Sequence, residues 1–147
     1  MVRAGIGFDS HRLVEGRPLI LAGHSDADAV AHAVTDAILG AAAAGDIGSH
    51  FPDTDPRWKG ADSLALLRLA RELVEQRGYR VQQVDITIIL EHPRLGTYKQ
   101  AMAQALADAL GLGHEDVGIK AKSNEGMGFV GRGEGVAVMA VATVEGA

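Results

Sequence analysis

The feature that most restricts the fold of this chain is the alternation of strand-like and helix-like segments along it. In residues 84–91 every second side chain is aliphatic, which is typical of a strand, whereas residues 63–77 carry an apolar stripe at helical spacing. These patterns predict helices over residues 25–45, 63–77 and 98–110, and strands over residues 2–8, 18–22, 84–91, 117–122 and 135–144. This order predicts an α+β fold, an α/β sandwich with three helices on one face of a mixed sheet of four or more strands. A length of 147 residues fits one domain, residues 1–147.

Local signals set the limits of the first helix and of the segment after it. Ser25 suits the N-cap, with Asp28 at the third helical position as in a capping box. Gly45 is a suitable stop for this helix. Residues 46–60 then read as a long irregular loop, and such loops in compact domains commonly carry function.

Composition excludes several classes of function and of site. The chain has no cysteine, so it has neither disulfides nor a zinc site built on thiolates. A net charge of -5 without a cluster of Lys and Arg argues against nucleic acid as a partner. The start does not resemble a signal peptide, and no apolar run approaches the roughly 20 residues that span a membrane. We therefore expect a cytoplasmic protein whose metal ligands, if any, are His, Asp and Glu.

A candidate metal site comes from the end of the first strand and the first helix. Asp9 and His11 point to the same side of an extended chain. If the helix packs across the strand end, His32 joins them, and two imidazoles with one carboxylate match the ligand set of a catalytic zinc site. The alternative is that His32 is an ordinary buried residue and that the acidic residues near the helix start serve its dipole.

Two further segments are less specific. Residues 46–55 contain turn-forming Pro and Asp residues, whose carboxylates would be solvated in an ordinary loop. Residues 120–135 are rich in glycine, which suits either close approach to a ligand or a hairpin. Within them, Glu125 is a candidate oxygen ligand for a hard divalent cation.

In combination, seven segments in the same order resemble the 2-C-methyl-D-erythritol 2,4-cyclodiphosphate synthase family. They are Gly7-Phe-Asp-Ser-His11, His24-Ser-Asp-Ala-Asp28, His32-Ala-Val-Thr-Asp36, Gly45-Asp-Ile-Gly48, Phe51-Pro-Asp-Thr-Asp-Pro56, Lys59-Gly-Ala-Asp-Ser63 and Gly128-Phe-Val-Gly-Arg-Gly-Glu-Gly135. The resemblance covers nearly the whole chain. It implies conversion of 4-diphosphocytidyl-2-C-methyl-D-erythritol 2-phosphate to the cyclic diphosphate and CMP, by attack of the 2-phosphate on the β-phosphorus.

The resemblance also implies roles for individual residues. Asp9, His11 and His32 match ligands of Zn²⁺, and Glu125 matches the ligand of a second cation, Mg²⁺ or Mn²⁺. His24 and Ser123 match residues that stabilise the transition state, and Asp36 is expected to orient His32 or a bound water. The implied substrate-binding residues are Asp9, Ser10, His11, His24, Ser25, Asp46, Ile47, Gly48, Phe51, Pro52, Asp53, Thr54, Asp55, Leu90, Glu91, His92, Pro93, Arg94, Leu95, Gly96, Lys122, Ser123, Asn124, Glu125, Phe129 and Arg132.

The family resemblance further implies a homotrimer with active sites between subunits. Phe129, Arg132 and Glu134 match residues that line a cavity on the threefold axis, where a prenyl diphosphate is expected to bind. The chain departs from the family between Gly23 and His24, where about ten residues of a connecting hairpin are absent. Either this is a true deletion or a mobile loop is missing from the sequence, and we favour the second.

Two other functions fit part of the pattern. A zinc-dependent phosphoesterase would use metal-bound water as the nucleophile and give no cyclic product. A trimeric module that binds prenyl diphosphates would need Arg132 and Glu134 but neither Asp9 nor His11. The ordered segments favour the cyclodiphosphate synthase over both.

Overall fold

A computed structural model of the protein describes residues 1–16, 19–23 and 28–147. Its strands are β1 (Val2–Arg12), β2 (Tyr79–Ile89), β3 (Val117–Lys122) and β4 (Gly135–Gly146). Its helices are α1 (Ala29–Ala41), α2 (Ile47–His50), α3 (Ser63–Gln76), α4 (Lys99–Leu110) and α5 (Gly128–Gly131), with a 3-10 turn at His114–Asp116.

The strands form one mixed sheet in the order β1-β4-β2-β3. β4 pairs antiparallel with both β1 and β2, whereas β2 and β3 are parallel. α1 packs on β1 and β4, α3 on α1 and β2, and α4 on α3 and β3. The predicted α+β fold with a four-stranded mixed sheet is therefore confirmed.

Glycines in β1 allow α1 to lie unusually close to the sheet. A Cβ at Gly7 would lie 1.9 Å from the carbonyl oxygen of Ala33, and a Cβ at Gly5 would lie 2.2 Å from that of Ala37. Backbone atoms cannot yield as a flexible side chain can, so only glycine fits at these positions. The close contact brings the last residues of β1 next to the first turns of α1.

The two faces of the sheet are in different environments. Side chains toward the helices, such as Ile86, Ile88 and Val138, are fully buried in the core. On the opposite face, Ile6 is 67% exposed and Phe8 is 58% exposed. Met139 and Val141 of β4 extend this exposed apolar surface, which we call the open sheet face.

Several predicted boundaries are wrong. α1 begins at Ala29 and ends at Ala41, and its N-cap is Asp28, which therefore does not occupy the third position of a capping box. Residues 19–22 do not form a strand, and the predicted loop 46–60 contains α2. β2 starts at Tyr79 rather than residue 84, because its first residues still pair with β4 although the alternation is weaker there.

Within the described ranges, no helix combines the length and the apolar character needed to cross a bilayer.

Candidate active site

Three predicted ligands lie together where β1 ends beside α1. His11 Nε2 is 2.8 Å from Asp9 Oδ2, and His32 Nδ1 is 3.2 Å from the same oxygen. One ligand atom from each residue lies within 4.8 Å of the other two, which is compatible with binding of one metal ion. We call Asp9, His11 and His32 the metal cluster; two nitrogens and one carboxylate oxygen suit zinc and leave a coordination position for substrate.

The electrostatics of the metal cluster keep Asp9 ionised. Burial alone would raise the pKa of Asp9, but hydrogen bonds and the charges of His11 and His32 outweigh it and lower the pKa to about 2. The carboxylate is therefore available as an anionic ligand at neutral pH. All three side chains are only about one-fifth to one-quarter exposed, so little of the cluster is screened by solvent.

The second ring nitrogen of His32 has a partner that the sequence motifs did not assign. His32 Nε2 lies 2.8 Å from Ser63 Oγ, and Ser63 is fully buried at the start of α3. Ser63 belongs to a segment that resembles the family, but nothing in its spacing from His32 indicates contact. The contact between Ser63 and His32 arises only because α3 packs on α1.

Of the two roles predicted for Asp36, a hydrogen bond to His32 is not formed. Both ring nitrogens of His32 face other residues, and the Asp36 carboxylate accepts a 2.7 Å hydrogen bond from Ile47 N. Burial raises the pKa of Asp36, and this backbone hydrogen bond opposes the rise. Asp36 therefore ties the start of α2 to the helix that carries His32.

The segment predicted to surround the methylerythritol group is well ordered by its own contacts. Asp46 caps α2, because its side chain accepts a 2.8 Å hydrogen bond from Ser49 N. Phe51 is buried against Trp58, with their rings 5.1 Å apart. Ile47 and Pro52 are partly buried, whereas Gly48, Asp53 and Thr54 are exposed.

Asp55 closes this segment with an exposed ion pair. Its carboxylate lies 2.9 Å from Arg57 Nη2, and the hydrogen bonds to Arg57 hold the pKa of Asp55 below its usual value. Because the Arg57 side chain is 74% exposed, the pair contributes little to stability.

The segment predicted to bind cytidine forms a cavity of about 520 Å³ at the ends of β2 and β3. We call it the nucleotide pocket; its lining residues are Leu90, Glu91, His92, Pro93, Arg94, Leu95, Gly96, Lys99, Ala121, Lys122 and Ser123. The cationic side chains in this lining suit a ligand that carries phosphates.

The Glu91 carboxylate fixes the loop that follows β3. Glu91 Oε1 accepts hydrogen bonds from Asn124 N at 2.9 Å and from Gly126 N at 3.1 Å. Between them, Glu125 is exposed and has a φ of 55°, in the left-handed region that non-glycine residues rarely adopt. Ser123 Oγ accepts from Glu125 N at 3.3 Å, which leaves the Ser123 hydroxyl hydrogen free to donate.

A smaller cavity of about 220 Å³ is lined by Phe129 and Glu134, two of the three residues predicted to line the threefold axis. Ser10 and His11 line it together with Phe129, Glu134 and neighbouring residues. Arg132 and Glu134 form an exposed ion pair with Nε and Oε1 2.9 Å apart. Arg132 thereby holds the pKa of Glu134 below its usual value.

The metal cluster and the nucleotide pocket lie at the same end of the sheet but at opposite edges. Ser10, Ala137, Ile89 and Lys122 are paired in one row across the four strands. Neighbouring strands are about 4.8 Å apart, so the edge strands β1 and β3 are roughly 14 Å apart.

The predicted residues His24 and Ser25 lie outside the described residues. The chain on both sides of them is held by Asp28, which is fully buried. Asp28 accepts hydrogen bonds from Gly23 N at 2.8 Å and from Val30 N and Ala31 N at 3.0 and 3.1 Å. Burial raises the pKa of Asp28, and these backbone donors oppose the rise.

A family model described as the YgbB family matches residues 2–145. The chain belongs to the YgbB family. The 2-C-methyl-D-erythritol 2,4-cyclodiphosphate synthase of Salinibacter ruber is 52% identical over 99% of this chain and 100% of its own length. That alignment has 157 positions, ten more than the 147 residues here, so at least ten positions of it have no counterpart in this chain.

Solved structures agree with this membership. A 2C-methyl-D-erythritol-2,4-cyclodiphosphate synthase bound to CDP is 41% identical, with a TM-score of 0.89 over 97% of this chain and 100% of that one. The bifunctional IspDF of Campylobacter jejuni has a TM-score of 0.94 at 40% identity over 100% of this chain. This chain spans only 43% of that bifunctional protein.

Proposed function

We propose that this YgbB family member converts 4-diphosphocytidyl-2-C-methyl-D-erythritol 2-phosphate to 2-C-methyl-D-erythritol 2,4-cyclodiphosphate and CMP, as a metal-dependent phosphorus-oxygen lyase of isoprenoid precursor synthesis. An oxygen of the 2-phosphate forms a bond to the β-phosphorus. The bond from the β-phosphorus to the oxygen it shares with the α-phosphorus breaks, and that oxygen leaves with CMP. The full-length similarity to named synthases, together with the metal cluster, carries the proposal.

The metal cluster supports binding of Zn²⁺ to Asp9, His11 and His32. Its donor set is two imidazole nitrogens and one ionised carboxylate, as in catalytic zinc sites with an open position. A bound zinc would supply Lewis-acid polarisation of the diphosphate oxygens. The residues themselves position this charge at the end of β1, where Asp9 is the single anionic group of the cluster.

The other half of the reaction is assigned to the nucleotide pocket and the loop after it. The pocket residues from Leu90 to Gly96 hold the cytidine, and Lys122 neutralises phosphate charge. The Ser123 hydroxyl donates to the phosphoryl oxygens. Its oxygen accepts a hydrogen bond from Glu125 N, so its own hydrogen is available for this donation. Glu125 would hold the second cation, Mg²⁺ or Mn²⁺, because its side chain is exposed and its carboxylate oxygens are hard donors. His24 has the same stabilising role as Ser123.

Catalysis in this scheme needs no nucleophile from the protein. The protein binds the two ends of the substrate so that the 2-phosphate lies in line with the β-phosphorus, and it neutralises charge as the bond to CMP lengthens. The wall formed by residues 46–48 and 51–55 limits the conformations of the methylerythritol group. Asp36 contributes indirectly, since it holds Ile47 N.

We also propose that residues 1–147 act as one catalytic domain in a cytoplasmic homotrimer. The open sheet face supports association, because Ile6 and Phe8 are large apolar side chains that remain more than half exposed. Within one chain, the sheet edges that carry the metal cluster and the nucleotide pocket are roughly 14 Å apart. This separation supports active sites that are shared between subunits. The cavity lined by Phe129 and Glu134 would then accept a prenyl diphosphate, with Arg132 paired to Glu134 as the candidate cation.

Phosphorus NMR of the purified protein with substrate, Mg²⁺ and trace Zn²⁺ tests the reaction. The proposal predicts CMP together with a cyclic diphosphate. CMP with a linear product would identify a phosphoesterase that uses metal-bound water, and binding of prenyl diphosphate without turnover would identify a binding module.

Light scattering after size-exclusion chromatography tests the assembly. The natural protein is expected at three times the mass of the 15.3 kDa chain, and Phe8→Glu is expected to shift it toward monomer. The matched control is Val14→Glu, because Val14 is also exposed but lies outside the sheet. A natural protein that runs as a monomer would contradict the trimer.

A further inference from the structure

The two ring nitrogens of His32 face different residues, and only one of them faces the other ligands of the metal cluster. His32 Nδ1 faces Asp9 Oδ2 at 3.2 Å, and its Nε2 faces Ser63 Oγ at 2.8 Å. A neutral imidazole carries one hydrogen, on either nitrogen, and it binds a metal only through the nitrogen that lacks it. If Nδ1 is to bind a metal, the hydrogen must lie on Nε2, and the neighbour of Nε2 must accept it.

We propose that Ser63 is a positioning residue that holds the Nδ1 of His32 toward the metal and fixes the tautomer with hydrogen on Nε2. This inference rests on the proposed metal site and deepens it. The Ser63 side chain is fully buried, so water does not compete for its oxygen. Its place is fixed by α3, whose N-cap, Asp62, accepts a hydrogen bond from Leu64 N.

A hydroxyl suits this position because it can donate as well as accept. With the metal absent, the Nδ1–H of His32 can donate to Asp9, and the Ser63 hydroxyl can donate to Nε2. When a metal takes Nδ1, the hydrogen lies on Nε2 and Ser63 accepts it. One rotation of the hydroxyl satisfies both states, so the ring does not need to move.

A hydroxyl also leaves the charge of the metal cluster unchanged. Histidine ligands commonly donate their second N–H to a carboxylate, a carbonyl or water, and a carboxylate would add negative charge. The neutral hydroxyl of Ser63 adds no negative charge beside His32. More of the positive charge of a divalent ion would then be available to attract a diphosphate.

The test compares zinc affinity in three variants by competition with a chelator. Ser63→Ala is expected to bind zinc about 10- to 100-fold more weakly, the usual cost of losing the outer partner of a ligand. Ser63→Thr keeps the hydroxyl and is expected to recover most of that loss. The control is Thr35→Val, which removes another fully buried hydroxyl from α1, one that donates to Ala31 O.

Nitrogen-15 NMR of the histidine rings provides a readout that a merely structural role of Ser63 would not change. In the zinc-loaded natural protein, the hydrogen of His32 is expected on Nε2, with slow exchange because that site is buried. In zinc-loaded Ser63→Ala, the hydrogen on Nε2 loses its acceptor, so its resonance is expected to shift and its exchange with solvent to become faster. If Ser63→Ala does not fold, the position and exchange of this hydrogen in the natural protein decide the proposal.

The outcomes separate this inference from the proposed reaction. Unchanged zinc affinity and unchanged exchange of the Nε2 hydrogen in zinc-loaded Ser63→Ala would overturn the role of Ser63, as would a zinc-loaded natural protein with its hydrogen on Nδ1. Failure of the natural protein to bind zinc would also overturn it. Zinc binding that depends on Ser63 without formation of a cyclic product would support the inference and contradict only the reaction.

Discussion

The metal cluster and the nucleotide pocket are built from different kinds of structure. The metal cluster joins a strand and a helix whose backbones touch at Gly5 and Gly7. The nucleotide pocket is formed by loop residues at the ends of β2 and β3, and its outer loop is held by the carboxylate of Glu91. The first region should therefore depend on backbone packing and the second on a few polar contacts, and separate substitutions should affect them independently.

The largest expected effect comes from removing a ligand of the metal cluster. His32→Ala should lose zinc and reduce activity by more than about 1,000-fold, because loss of an outer partner alone costs about 10- to 100-fold. Metal analysis and turnover measure this, while light scattering should show an unchanged oligomer. Full zinc occupancy in this variant would show that the ligand assignment is wrong.

The next effect tests whether backbone packing positions the metal cluster. Gly7→Ala places a methyl group 1.9 Å from Ala33 O, so α1 must move away from β1 and carry His32 with it. We expect a loss of about 3 kcal/mol in the free energy of unfolding and weaker zinc binding. Denaturant unfolding measures the first quantity.

Gly146→Ala is the matched control for this substitution, since a Cβ there meets no atom within 4 Å. It should change neither stability nor zinc affinity by a measurable amount. Equal stability of the two variants would show that the contact between α1 and β1 is not tight.

A smaller effect is expected in the nucleotide pocket. Glu91→Ala removes the acceptor of two backbone hydrogen bonds and should lower kcat/KM about tenfold, which corresponds to about 1.4 kcal/mol. Zinc affinity should not change, because Glu91 does not contact the metal cluster. Steady-state kinetics and chelator competition test the two parts.

Glu91→Gln distinguishes the hydrogen bonds from the charge of Glu91. The amide keeps a carbonyl oxygen that can accept from Asn124 N and Gly126 N, so its kcat/KM should stay within about threefold of the natural value. A loss as large as that in Glu91→Ala would mean that the negative charge itself is required.

The smallest effect is expected at the exposed pair of Asp55 and Arg57. Arg57→Ala should change the free energy of unfolding little or not at all, because solvent screens exposed ion pairs. Thermal unfolding measures this. A larger loss would show that the stacking of Arg57 on Trp58 contributes to the order of this loop.

The sequence predicted best what depends on regular periodicity. Asp9 and His11 share a side of β1, and α1 brings His32 to them as expected. The start of α1 was wrong because Ser25 and Asp28 are both good N-caps, and the buried contacts of Asp28 with Gly23 and Ala31 decide between them. Local sequence does not contain such contacts.

The roles of Ser63 and Glu91 could not be predicted for a related reason. Ser63 lies 31 positions from His32, and Glu91 lies 33 positions from Asn124. Their partners are set by the packing of α3 on α1 and by the pairing of β2 with β3. No short spacing in the chain encodes either contact.

The fully buried Asp28 has a consequence for engineering. Its carboxylate holds both Gly23 N and the first turn of α1, so these two points of the chain are fixed close to each other. Doubling the length of a flexible connection between two fixed points costs only about 0.6 kcal/mol. The junction after Gly23 is therefore a suitable place to insert a reporter peptide or to restore a longer connection without rebuilding the sheet.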